Sequence, residues 1–116
     1  MNLTEMVFAQ ALLMAGDLEP KQEALLRTLC RAAEISLAAR MRRGVHPEDC
    51  EADFVVAASL YALAALSENR EQMEGFSIGD LTVRNGRNHL AADCLRRQAE
   101  MLMRPYLPDG FAFVGV

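Results

Sequence analysis

The chain has 116 residues, of which 52% are hydrophobic and 24% charged, and its formal net charge is −4. That length suits one domain with a single modest core, and the apolar content excludes a disordered chain. The acidic balance, with Lys21 the only lysine, disfavours a nonspecific nucleic-acid binder, which needs clustered positive charge to release counterions.

The first segment reads as a helix from Leu3 to Ala15. Asn2 and Glu5 have capping-box spacing, and Gly16 stops the run. Asp17-Leu18-Glu19-Pro20 is a turn, with Pro20 placed at the first position of a second helix that is expected to reach Arg43 and end at Gly44. Leu25, Leu29, Ala33, Leu37 and Met41 recur every fourth residue and draw an apolar stripe, which Leu26 and Cys30 widen. Glu23, Arg27, Arg31 and Glu34 lie opposite and read as a solvated face, with Glu23 and Arg27 in the favoured order for a helical ion pair.

Pro47 opens a third helix, whose early Glu48, Asp49, Glu51 and Asp53 complement the positive end of the helix dipole. From Phe54 to Leu66 the pattern is apolar nearly all round, interrupted only by Ser59. Such a helix is either central in the fold or covered by another subunit. The run is shorter than the roughly 20 residues a membrane span needs, and no signal-peptide pattern precedes it, so the chain reads as soluble.

Phe76, Ile78, Leu81 and Val83 then alternate around Gly79-Asp80, the pattern of two short strands or an extended arm over about 74–86. A fourth helix is expected from about Asn88 to Arg104, with Ala91, Leu95, Ala99 and Leu102 inward and Pro105 ending it. The segment from Pro105 to Val116 closes on Phe111, Phe113, Val114 and Val116, apolar enough to call for a docking surface. The expectation is therefore a mainly α single domain over 1–116: a small bundle of about four helices, an arm or β-hairpin before the last, and an extended apolar tail. The second, third and fourth helices should share one core, with Leu29, Leu37, Phe54, Leu60, Leu63 and Leu95 in or beside it.

Few residues group into chemistry. His46, Asp49, Cys50 and Asp53 have metal-ligand types at helical spacing, but His46 precedes a proline and the acids already serve the dipole, so structural roles are expected. His89 with Asp93 imitates an oriented base without a nucleophile nearby. Arg40, Arg42 and Arg43 suit the negative end of the second helix, or alternatively a phosphate; Arg96 and Arg97 can pair with Glu100, and Arg97 with Asp93. The odd, scattered cysteines (Cys30, Cys50, Cys94) form no disulfide or zinc pattern and suit a reducing compartment. No phosphate loop, hydrolase or metalloprotease motif is present, so no catalytic residue, cofactor or metal is expected.

The stretch Glu74-Gly75-Phe76-Ser77-Ile78-Gly79-Asp80-Leu81-Thr82-Val83, followed by Leu95-Arg96-Arg97-Gln98-Ala99 and then Pro105-Tyr106-Leu107, resembles the small head–tail connector (adaptor, or head-completion) proteins of long-tailed phages. The likeness covers about Glu74 to Val116; the helices before it match in order and length only. It implies a non-catalytic virion or prophage assembly protein forming a ring, twelvefold on a portal, that links the portal protein to neck or tail-completion components. DNA would pass through only as cargo, no membrane would be involved, and the site would be the virion neck after assembly in the bacterial cytoplasm. On this resemblance Phe76, Ile78, Leu81, Val83, Phe111, Phe113 and Val114 would meet a neighbouring subunit or the portal. The alternative is a small helical DNA-binding or regulatory protein using Arg40, Arg42 and Arg43.

Overall fold

Asn2 starts the first helix through the capping box its spacing predicts: the Glu5 N–H donates to Asn2 Oδ1 at 2.8 Å and the Asn2 N–H to Glu5 Oε1 at 3.1 Å. The computed structural model describes residues 2–74 and 79–108, with side chains placed in 2–69 and 91–108. Helix α1 spans Leu3–Ala15 and stops at Gly16, whose φ of +80° disfavours a residue with a Cβ. Helix α2 spans Pro20–Arg40, three residues short of the predicted end. Met41 turns to extended backbone, and the Arg42 N–H donates to the Tyr106 carbonyl at 2.8 Å instead of continuing the helix. A 3-10 turn over Pro47–Cys50 leads into α3 (Glu51–Glu74), and α4 (Gly79–Met103) runs into a second 3-10 turn at Arg104–Tyr106.

Helix α3 is the centre. Its Phe54, Ala57, Ala58, Ser59, Ala62 and Ala64 are at most 1% exposed, and α1, α2 and α4 all pack on it. The alternation between a central helix and one covered by another subunit is thereby decided for this part of α3. Alanines on several sides allow neighbouring axes to approach closely, because helix separation follows the size of the side chains at the contact. By length and composition Pro47–Asn69 would also pass for a membrane span, but 61% of its apolar window is buried inside the protein, as befits a core helix. Around it lie Val7 and Ala11 of α1, Leu26, Cys30 and Leu37 of α2, and Ala99 and Met103 of α4. Each large side chain so buried contributes about 1.5–3 kcal/mol.

Three expectations need correction. Helix α1 belongs to the core that was assigned to the other three helices: Val7 and Ala11 are fully buried, and the Ser59 hydroxyl, placed 3.0 Å from the Val7 carbonyl and 2.7 Å from its own Val55 carbonyl, bonds across the contact. On α2 the fully buried positions are Leu26, Cys30 and Leu37, whereas Leu25, Leu29, Ala33 and Met41 pack at the edge. A strict four-residue stripe drifts about 40° per step around a 3.6-residue helix, so its five members all pack on the core but only Leu37 is fully buried. The face of α2 read as solvated is exposed at Glu23, Arg27 and Arg31, and its edge also touches α1: Arg27 lies 4.0 Å from the Phe8 ring centroid, Thr4 donates to Glu34 at 2.6 Å, and Arg31 donates to Thr4 at 3.3 Å.

The third correction concerns the arm. Gly79 to Asn88 is helical and continuous with α4, so Leu81 and Val83 stand in helical rather than extended backbone. A short apolar alternation does not separate strand from helix when a long helix can carry it. Gly86 is accommodated inside α4, where a glycine costs about 1 kcal/mol relative to alanine. Phe76 and Ile78 lie outside the described residues, as does 109–116 with Phe111, Phe113 and Val114.

Candidate functional site

Helix α4 is wedged between two surface clefts, one on each side of its buried face. Ala99 and Met103 point into the core. On one flank Glu100 and Arg104 line a cleft of about 530 Å³ together with Ala39, Arg40, Leu107 and Pro108. On the other flank Gln98, Met101 and Leu102 line a groove of about 670 Å³ with Met14 of α1 and Val56 and Leu60 of α3. The two differ in chemistry: the first carries charges at its edge, whereas the second is bordered only by uncharged side chains.

The charged flank is organised by Arg40. Its guanidinium donates to the Tyr61 hydroxyl at 3.0 Å and to Glu100 at 2.9 Å, and Tyr61 in turn donates to Glu100 through a short hydrogen bond. The hydrogen bonds from Arg40 hold the Glu100 carboxyl below its ordinary value. Burial first, and then the bond to Glu100, push the Tyr61 phenol upward. Arg40 is thus neutralised by α4, and of the three arginines predicted as a phosphate contact only Arg42 and Arg43 keep exposed side chains without a bond described here. A salt-bridged arginine is a weak anchor for an external phosphate, because binding would have to displace Glu100.

His46, Asp49, Asp53 and Arg96 have structural partners, and the His89 side chain lies outside the described residues. The His46 N–H donates to Asp49 Oδ2 at 2.9 Å, and the Asp49 N–H returns to the His46 carbonyl at 2.9 Å, which closes the 3-10 turn before α3. Asp53 accepts from the Tyr106 hydroxyl at 2.8 Å. Among the described residues no group of three or more metal-ligating side chains converges. Arg96 bonds Glu68 closely and Asp93 at 3.3 Å, not Glu100 as its spacing suggested, because Glu100 is taken by Arg40. Burial pushes the Cys30 thiol up to about 11 and also raises Cys50, whereas Cys94 is exposed with Gln98 3.8 Å from its sulfur.

Of the predicted interface residues, Leu81 and Val83 fall in the opening turns of α4, and the other five lie outside the described residues. Sequence reading did not find the groove at Met14 and Met101. What marks it is structural: Met101 is 62% exposed on the side of α4 that faces away from Ala99, and Leu13 beside Met14 is 80% exposed. Spacing within one helix does not reveal which two helices border a groove. No protein-family model, curated protein or solved structure matches this chain.

Proposed function

We propose that this chain is a non-catalytic structural protein of phage or prophage head–tail assembly, acting as a ring adaptor between a portal and later neck or tail components. The observation that carries the reading is the sequence likeness over Glu74–Val83, Leu95–Ala99 and Pro105–Leu107. The all-α architecture is compatible with it, and so is the exposed apolar surface at Leu13, Met14, Ile35 and Met101, of the kind that interaction surfaces carry. In this reading Phe76, Ile78, Leu81 and Val83 contribute one contact surface from the α3–α4 connection and the start of α4. Phe111, Phe113 and Val114 contribute a second from the closing segment.

The test is solution mass over a concentration series, joined to electron microscopy of the chain alone and mixed with a portal ring. Ring-shaped particles, or occupancy of the portal's tail-facing surface, are expected. Phe76→Asp or Ile78→Asp should abolish both while leaving the helical circular-dichroism signal intact. A chain that neither self-associates nor binds a portal would overturn the reading, and salt-sensitive DNA binding lost in Arg42→Ala/Arg43→Ala would replace it with the regulatory alternative.

A further inference from the structure

The groove between α1 and α4 has the composition of a receptor for an uncharged apolar peptide. It is lined by Gln10 and Met14 of α1, Val56 and Leu60 of α3, and Gln98, Met101 and Leu102 of α4. Methionine suits such a lining, since its flexible thioether adapts to irregular shapes and makes favourable contacts with aromatic rings. The chain itself supplies a matching ligand. Phe111-Ala112-Phe113-Val114-Gly115-Val116 has two aromatic rings and no ionisable side chain. The cleft on the opposite flank, edged by Arg40, Glu100 and Arg104, is a poorer match for that segment.

We infer that Phe111–Val116 of one copy seats in the Met14–Met101 groove of a second copy. This rests on the adaptor reading only for the expectation that copies meet head to tail; the groove and its chemistry stand without it. The placement of the two surfaces suits a contact between copies. Pro108, from which the segment departs, lines the charged cleft, and the groove lies across the buried face of α4 from it. A donor on one flank and an acceptor on the other is the arrangement a heterologous, repeating contact uses, in which one surface meets a different surface of the next subunit.

Two variants of the whole chain test this, each removing one half of the contact: deletion of Phe111–Val116, and Met101→Glu. Because Met101 is largely exposed, the glutamate should leave the circular-dichroism spectrum and melting midpoint near those of the unaltered chain. Each variant alone should weaken self-association by about tenfold or more, since the contact would lose its apolar ligand or bury a charge. Mixed in equal amounts they should pair one to one and grow no further, because only one intact donor and one intact groove remain. Unchanged association of Met101→Glu would overturn the groove as the seat. A deletion variant that still associates as the unaltered chain does would overturn the segment as occupant. A chain that is monomeric throughout, but melts lower without the segment, would mean that the segment seats within its own chain and would overturn the second copy. If that monomer still occupied a portal ring, only this inference would fall and the adaptor reading would stand.

Discussion

Helix α1 and helix α4 are both fastened to α3, but their outer edges are finished in opposite ways. Between α1 and α3 the contact is dry: Val7, Ala11 and Phe8 meet the small side chains of α3, and the one polar group inside it, Ser59, is fully satisfied. Between α4 and α2 the link is wet. Arg40, Tyr61 and Glu100 bridge the two helices at the surface with side chains about 43% exposed in the ion pair, beside a cleft rather than a packed seam. Burial of apolar area is where stability comes from, while exposed ion pairs are worth about 0–1 kcal/mol. The buried contacts on α3 should therefore carry the fold, and the exposed link between Arg40 and Glu100 should tolerate change.

The sharpest way to break this comparison is at its shared centre. Phe54→Ala should cost about 3–5 kcal/mol in chemical denaturation, because Phe54 is fully buried and its truncation would leave a cavity in the core. On α2, Leu26→Ala should cost about 2–5 kcal/mol and Leu29→Ala clearly less; equal losses would mean that the buried face is not centred on Leu26, Cys30 and Leu37. Ser59→Ala should cost about 1 kcal/mol, the typical net worth of a hydrogen bond, since the Val7 carbonyl loses its added donor.

Glu100→Gln should have the smallest effect, at most about 1 kcal/mol and less in high salt. Its pH dependence has a definite sign. The folded carboxyl is held below its ordinary value of 4.5, chiefly by the hydrogen bonds from Arg40, so its contribution is present above that value and is lost as pH falls through the folded one. The glutamine variant should then lose less stability on acidification than the unaltered chain. A loss for Glu100→Gln as large as that for Leu26→Ala would erase the distinction between the dry and the wet edge.

What was legible in the sequence was local. The Asn2–Glu5 box, the stop at Gly16, the opening Pro20 and the all-round apolar run after Phe54 each depend on neighbours a turn or two away, and each appears where spacing put it. What was not legible was long-range. Arg40 meets Glu100 sixty positions on, and Tyr106 meets Asp53 across 53; spacing offered Arg96 or Arg97 for Glu100 because those lie on the same helix. Arg27 and Arg31 are exposed as read, but nothing in α2 announces that Phe8 and Thr4 will lie beside them. The start of α4 was misread for the same reason, as local alternation at Leu81 and Val83 lost to a continuous helix.

Tyr106 gives the closing segment a fixed root. Its carbonyl accepts the Arg42 N–H at the end of α2, and its hydroxyl donates to Asp53 near the start of α3, so two elements hold one residue. Pro108 follows two positions later, and the residues from Asp109 to Val116 extend at most about 27 Å from it at full stretch. On the seating inferred above, Phe111 and Phe113 are presented as a tethered ligand, at an effective concentration set by the distance from that root to the receptor. On the same inference, a receptor within reach meets them at roughly millimolar strength once two molecules are held side by side. The anchoring of Tyr106 then acts as a ruler for where that seat can lie.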